Sequence, residues 1–252
     1  ILHGLPFGAK DLEATGQVRT TMGSKLFEDN VPARDQSSIA KIRANGGILI
    51  GKTNTPEFGA GANTRNLVFG ATGNPFDPDL SCAGSSGGSA VSLATGMVSL
   101  ATGSDYGGSL RTPASFCGVV GFRPSPGIVS NEIRSVGLNP FSVLGPMGRT
   151  VKDAALLLSA MIGNNARDPF SNGVDPDLTE PIQLADLSSL RVTISEDLGV
   201  APLDDDIRQC FRRKVKTIQH IFSSTQDRDP PFDEELHMAF EILRCVNYLS
   251  AH

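Results

Sequence analysis

The sequence predicts an α/β fold, and three observations carry that reading. "DQSSIAKIRANGG" has the pattern of a helix and runs directly into "ILIGK", a short β-branched strand. A helix followed by an all-apolar strand marks an α/β unit whose sheet is covered. Further strands are expected at Leu5–Ala9 and at "LATGSD", and helical spacing returns at Val151, Ala154, Ala155, Leu158 and Ile162.

Each element has a local reason. Leu5–Ala9 is a short apolar strand that delivers Lys10 and Asp11 at its end. In the first helix Ser37 or Ser38 is the expected N-cap, and Gly46 and Gly47 stop it. "ILIGK" is a buried strand ending at Lys52. Residues 63–78 are rich in Gly, Asn, Pro and Asp and read as loop. Ser89–Ser99 reads as a helix of small residues, "LATGSD" as a strand entering "YGGSLRTPASF", and "VVGF" as another strand. "NNARDPFSNGVDPDLTEP" is an exposed, linker-like loop. "LRVTISED" alternates like a strand. Ile207, Cys210, Phe211, Val215, Ile218 and Phe222 form one helical stripe, and Leu236, Ala239, Phe240 and Leu243 another; both stripes are expected in the core.

Composition excludes several function classes. The 252 residues carry a formal net charge of −5, from 22 basic and 27 acidic side chains, with no basic cluster. Nucleic-acid binding through a basic face is therefore disfavoured. No apolar run approaches the roughly 20 residues of a membrane span, and no signal-peptide pattern opens the chain. Cys82, Cys117, Cys210 and Cys245 are widely spaced, so reduced thiols in a cytoplasmic protein are expected, not a disulfide framework or a zinc site. The chain starts without Met, on a strand-like segment, and reads as a piece truncated at both ends.

"CAGSSGGSA", Cys82–Ala90, contains a G-x-S-x-G match (Gly84, Ser86, Gly88) that would make Ser86 a nucleophile. Ser-His-Asp chemistry needs a nearby histidine. His220 and His237 fall in helical segments on or near polar sides, His252 is terminal, and His3 lies near Lys10 at the chain start; none has an expected acid partner. What is dense is Gly and Ser: seven of each among the 26 residues Gly84–Ser109. Glycines permit close backbone approach, and hydroxyls both donate and accept. Together they suit a site that passes protons between hydroxyls and holds an oxyanion with amides. Val91, Leu93, Ala94, Met97, Val98 and Leu100 interrupt the tract with apolar residues, which a linker would not need. Such a site requires a base. Lys10, at the end of an apolar strand, serves if burial lowers its pKa; the alternative is a strand-end lysine reaching solvent.

At these residues the chain resembles the amidase signature family of serine hydrolases. The resemblance rests on "GLPFGAKD" (4–11), "GKTNTPEF" (51–58), "AGSSGGSA" (83–90), "GSDYGGSLRTPASFCGVVGFRPS" (103–125) and "GPMGRTVKDAALLL" (145–158), in order. It covers about residues 1–170, more loosely the rest. It implies a mixed β-sheet covered by helices on both faces, with all 252 residues part of one domain: a catalytic core over about 1–170 and the start of a substrate-covering part over 171–252. It further implies a Ser-Ser-Lys triad of Lys10, Ser85 (after a cis peptide bond) and the nucleophile Ser109. Backbone N–H groups around Tyr106, Gly107, Gly108 and Ser109 would hold the oxyanion, with Ser86, Asp105 and Arg111 in support. Arg111 gripping a substrate carboxylate is the alternative to its pairing with Asp105. Cys82 and Cys117 read as small buried spacers. Ala83 departs from a common Gly, and Tyr106 from a common Thr.

The implied function is hydrolysis of a carboxylic amide, without cofactor or metal, on a small-molecule substrate, with homodimerisation left open and no nucleic-acid or membrane partner. Two alternatives stand beside it: the A subunit of a glutamine-dependent aminoacyl-tRNA amidotransferase, and an inactive amidase fragment. "DYGGSLRTP" looks more like stand-alone amidases than like the amidotransferase chain.

Overall fold

Strand β1 (Pro6–Lys10) is buried over its last four residues because it has a neighbour on each side. The computed structural model describes residues 1–134, 136–171, 173, 178, 180, 182–233 and 235–251; His252 and part of the 164–181 loop lie outside them. The chain divides into two compact units, Ile1–Ile182 and Gln183–His252.

In the first unit β1 is followed by α1 (Ser37–Ala44), β2 (Ile48–Thr53), the short antiparallel pair β3 (Arg65–Asn66) and β4 (Gly70–Ala71), and α2 (Gly87–Ala94). Then come β5 (Leu100–Asp105), α3 (Arg111–Cys117), β6 (Val120–Gly121), β7 (Val143–Gly148) and α4 (Val151–Met161). Five strands form a mixed sheet in the order β2-β1-β5-β7-β6. β1 runs parallel to β2 and β5, while β7 is antiparallel to β5 and β6.

Both faces of this sheet are covered. Phe7, Ala9, Leu100 and Leu144 join Ile39 and Ile42 of α1 and Leu157, Leu158 and Met161 of α4 in one apolar cluster. Ala101 and Met147 join Ala90 and Leu93 of α2 and Ala114 and Cys117 of α3 in another. Leu100 and Ala101 are consecutive and enter different clusters, as side chains on a strand must. This is the mixed sheet with helices on both faces that the resemblance implies.

Several local expectations need correction. Neither Ser37 nor Ser38 caps α1; the cap position is Gln36, which makes no side-chain cap bond. The Ser37 N–H instead donates to Glu132 Oε1 at 2.7 Å, a carboxylate brought from 95 residues away and favourable at a helix N-terminus. "ILIGK" is not buried throughout: β2 is an edge strand, and Ile48 and Ile50 are exposed. Helix α2 begins at Gly87 and stops at Ala94 instead of spanning 89–99. The 63–78 loop contains β3 and β4.

The second unit holds β8 (Arg191–Ile194), α5 (Asp205–Ile218), β9 (Ser224–Asp227) and α6 (Glu235–Ala251), with β8 and β9 parallel. The stripes expected in a core are largely solvent-exposed: Ile207 at 58%, Ile218 at 49%, Leu236 at 43% and Leu243 at 45%. Among the described residues of this unit, one two-stranded sheet is the only sheet these amphipathic helices could pack against.

Lys10 closes β1 and Asp105 closes β5. The two strands are parallel, so both residues sit at the same sheet edge, the carboxyl end where open α/β sheets bind ligands.

Candidate active site

The Lys10 side chain is fully buried, and its amine is ringed by hydroxyls. Nζ lies 2.7 Å from Ser85 Oγ, 2.9 Å from Ser86 Oγ and 2.9 Å from Ser104 Oγ. Its backbone N–H donates to Thr102 Oγ1 at 3.1 Å, which ties β1 to β5 at this level. Burial pushes the Lys10 pKa from 10.5 down to about 7, outweighing the attraction of Glu13 and Asp105, which act to raise it. Lys10 is therefore buried, and the alternative of a strand-end lysine reaching solvent is excluded.

The two serines come from the turn that enters α2. Ala83 has φ +59°, a left-handed conformation that favours Gly, so the Gly-to-Ala departure falls where a side chain is disfavoured by about 1–2 kcal/mol. The Gly84–Ser85 peptide bond is cis. Gly84 also lies close to other backbone: a Cβ there would stand 3.2 Å from the main chain of Ala62 and Asn63.

Ser86, the residue singled out by the G-x-S-x-G match, is fully buried. Its Oγ receives Lys10 Nζ and the Ser104 N–H and faces the Ser104 carbonyl at 3.3 Å. A hydroxyl has one proton and two lone pairs, so this one is fully used inside the network. The Ser86 N–H donates to the Ser109 carbonyl at 3.2 Å, joining the two serine segments.

Ser109 is half-buried, on the turn between β5 and α3. Asp105 organises this turn. Its buried carboxylate accepts from the Gly108 N–H at 2.8 Å, the Leu110 N–H at 3.1 Å, Arg111 Nε at 3.0 Å and Nη2 at 3.1 Å, and Arg123 Nη1 at 2.9 Å. Burial alone would raise the Asp105 pKa; the Arg111 bond and charge and the two backbone donors overcome it and hold the carboxyl below its usual range. Arg111 therefore grips Asp105, as expected, and Arg123 is a second guanidinium that the sequence did not point to. Gly108 has φ +133°, and its N–H, expected to face an oxyanion, is directed to Asp105 instead. No hydrogen bond joins the Ser109 and Ser85 hydroxyls among the described residues, although both belong to the same cluster of turns.

Ser104, Thr102 and Glu13 also went unmarked in the sequence. Their contacts with Lys10 span 94 and 92 residues for the first two, and only strand pairing creates them. Cys82 and Cys117 are buried free thiols, and Cys210 and Cys245 are exposed ones. His3, His220 and His237 are exposed. Beside the Gly84 turn lies a cavity of about 570 Å³ lined in part by Glu57, Ala62, Asn63, Arg65 and Leu67. No group of metal-ligating side chains occurs among the described residues, and no helix of theirs is long and apolar enough to cross a membrane.

Known proteins resemble this chain in sequence and fold. The Amidase family profile matches residues 1–244. The A subunit of glutamyl-tRNA(Gln) amidotransferase from Desulforapulum autotrophicum is 37% identical over 247 residues, covering 96% of this chain and 50% of that protein. The structure of a bacterial aryl acylamidase of the amidase signature family superposes with a TM-score of 0.82 at 30% identity, covering 95% of this chain and 50% of that one. The corresponding glutamyl-tRNA(Gln) amidotransferase chain of Thermotoga maritima gives a TM-score of 0.77 at 26% identity, covering 98% and 60%. The chain spans about half the length of the curated relatives it matches. With a mixed sheet, five ordered sequence blocks and a family profile that agree over nearly its whole length, the chain belongs to the amidase signature family.

Proposed function

We propose that this chain carries the catalytic residues of an enzyme that cleaves a carboxylic amide C–N bond through an acyl-enzyme on Ser109. The observation that supports it is the buried Lys10 amine, ringed by three hydroxyls, with a pKa lowered to about 7. A neutral amine has two N–H donors and one lone pair for these neighbours. Ser86 has its own proton directed at the Ser104 carbonyl, so it accepts. Ser85, at the shortest distance, is where the lone pair takes a proton.

Proton transfer then runs from Ser109 to Ser85 and from Ser85 to Lys10 as Ser109 Oγ bonds to the amide carbon. The negative charge that builds on the carbonyl oxygen is held by the backbone N–H groups of Tyr106 and Gly107; such donors each contribute about 3–4 kcal/mol in the transition state. Lys10 returns the proton through Ser85 to the departing amine, the C–N bond breaks, and water releases the acid from Ser109.

Two substrates fit this chemistry. The curated relatives are named as amidotransferase A subunits, which favours glutamine as the amide, with ammonia passed to partner subunits. This outweighs the preference for a stand-alone amidase drawn from the "DYGGSLRTP" block with Tyr106 and Thr112. The aryl acylamidase supports the stand-alone reading. Ammonia release from glutamine, measured with and without candidate partner subunits and beside simple aliphatic and aryl amides, separates them. Partner-stimulated glutaminase activity supports the amidotransferase reading; partner-independent turnover of simple amides supports the other. Amide turnover that persists in Ser109→Ala overturns both.

A further inference from the structure

We propose that Arg123 is a positioning residue that strengthens the oxyanion-binding N–H of Tyr106, acting through the peptide group to which that N–H belongs. The inference rests on the Tyr106 N–H holding the oxyanion in the proposed reaction.

Arg123 follows β6, and close packing delivers it. The Phe122 N–H donates to the Pro146 carbonyl at 3.1 Å. A Cβ at Gly145 would stand 2.4 Å from the Phe122 carbonyl oxygen, so a glycine is needed for this segment to lie against β7. From there the Arg123 guanidinium meets three acceptors. Nη1 donates to the Asp105 carbonyl at 2.5 Å and to Asp105 Oδ1 at 2.9 Å, and Nη2 donates to the Phe141 carbonyl at 2.9 Å. The Phe141 ring lies against the Tyr106 ring, with 5.6 Å between centroids and a tilt of 50°. Phe141 is itself fixed. Its N–H donates to Asn139 Oδ1 at 2.9 Å, and Arg134, in a buried ion pair with Asp168, donates to the carbonyls of Asn139 and Ser142. A closed circuit therefore runs from Asp105 through Arg123 and Phe141 to Tyr106.

The Asp105 carbonyl and the Tyr106 N–H are the two ends of one peptide group. That peptide is trans, so its N–H points away from the carbonyl that Arg123 holds. A cation hydrogen-bonded to the carbonyl draws electron density from the amide and makes its N–H a stronger donor. Joining β5 to β7 does not require this arginine, because the two strands already pair from Leu100 with Gly148 to Asp105 with Val143. The Gly108 N–H is committed to the Asp105 carboxylate, which puts more weight on the Tyr106 donor. Charge points the same way. The charged groups around the turn are Lys10 from β1, Asp105 from β5, Arg111 from α3 and Arg123. Asp105 serves both guanidinium groups, so one positive charge is left over at the turn where the substrate oxygen becomes negative.

The test reads the oxyanion itself. Full-length protein is mixed with benzyl trifluoromethyl ketone carrying carbon-13 at its carbonyl. Ser109 Oγ bonds to that carbon, the C=O electron pair moves onto oxygen, and the Ser109 proton passes through Ser85 to Lys10. The carbon-13 shift of the adduct, followed against pH, gives the pKa of the bound oxyanion. Arg123→Gln is expected to raise that pKa by about one unit and to weaken ketone binding about tenfold. Arg111→Gln removes an equal charge from Asp105 without touching the carbonyl, and a smaller rise is expected. Should Arg123→Gln fail to fold, Phe141→Ala serves: it frees the Tyr106 ring with Arg123 in place, and a rise of about half a unit is expected. An unchanged or lowered oxyanion pKa in whichever variant folds, or an equal rise in Arg111→Gln, overturns the proposal alone. Absence of a wild-type adduct at Ser109 would overturn the reaction assignment and this inference with it.

Discussion

Lowering the pH is expected to switch off Ser109 acylation with a midpoint near 7, because Lys10 works only as a neutral amine. An ordinary lysine at pH 7.4 is neutral in about one molecule in a thousand. With the Lys10 pKa at about 7, the neutral form is the majority species there, a gain of several hundredfold in competent base. The rate of fluorophosphonate reaction at Ser109, followed from pH 5 to pH 9, is expected to rise tenfold per unit below 7 and to level off above it. The rate at pH 5 is then about a hundredth of that at pH 8. The same shift has a consequence for stability. The folded pKa lies below the unfolded one, so the unfolded chain binds the extra proton between about 7 and 10.5. The cost of burying Lys10, of the order of 5 kcal/mol, is fully present below pH 7 and is relieved as pH rises toward 10.5. A labelling rate that is flat between pH 5 and 9, or that rises only near 10, would refute the buried-base argument.

Two substitutions probe the scaffold around the site. Asp105→Asn leaves Arg111 and Arg123 facing an amide and weakens the bonds to the Gly108 and Leu110 N–H groups; a loss of roughly 3 kcal/mol is expected in chemical denaturation, discounted toward its low end because the Arg111 side chain is 55% exposed. A change under about 1 kcal/mol would mean that other contacts hold the nucleophile turn. Gly88→Ala would put a Cβ 2.2 Å from the Asn54 backbone nitrogen, a neighbour that cannot rotate away, so α2 must move off β2; a fall in stability of about 1–3 kcal/mol with loss of Ser109 labelling is expected, and wild-type labelling with wild-type stability would contradict the close approach.

The parts of this architecture that were legible in the sequence are those written in local patterns. β1, β5, α4 and the pairing of Asp105 with Arg111 could each be read from a few neighbouring residues. Lys10 stood out in the sequence as a charge closing an apolar strand, whereas Ser85 and Ser109 were named only through the resemblance to the amidase signature motifs. What was hidden depends on long-range pairing. Ser104 and Thr102 reach Lys10 only once β5 has aligned beside β1. Glu13 meets Ser38 of α1 and Lys52 of β2 only in the folded chain. Glu132 caps α1 from 95 positions away, where a local rule named Ser37 or Ser38. β7 escaped notice because "VLGPMG" carries two glycines and a proline, yet all six of its residues are buried between β5 and β6. The apolar stripes of α5 and α6 were read correctly as stripes, but a stripe does not specify what covers it.

The central claim is that Ser109, and not the serine of the G-x-S-x-G match, forms the covalent intermediate. Mass-spectrometric mapping of the fluorophosphonate adduct on the full-length protein tests it most directly. The adduct is expected on the peptide containing Ser109, and none is expected in Ser109→Ala. An adduct on Ser86, whose hydroxyl is buried and fully engaged with Lys10 and Ser104, would contradict the account.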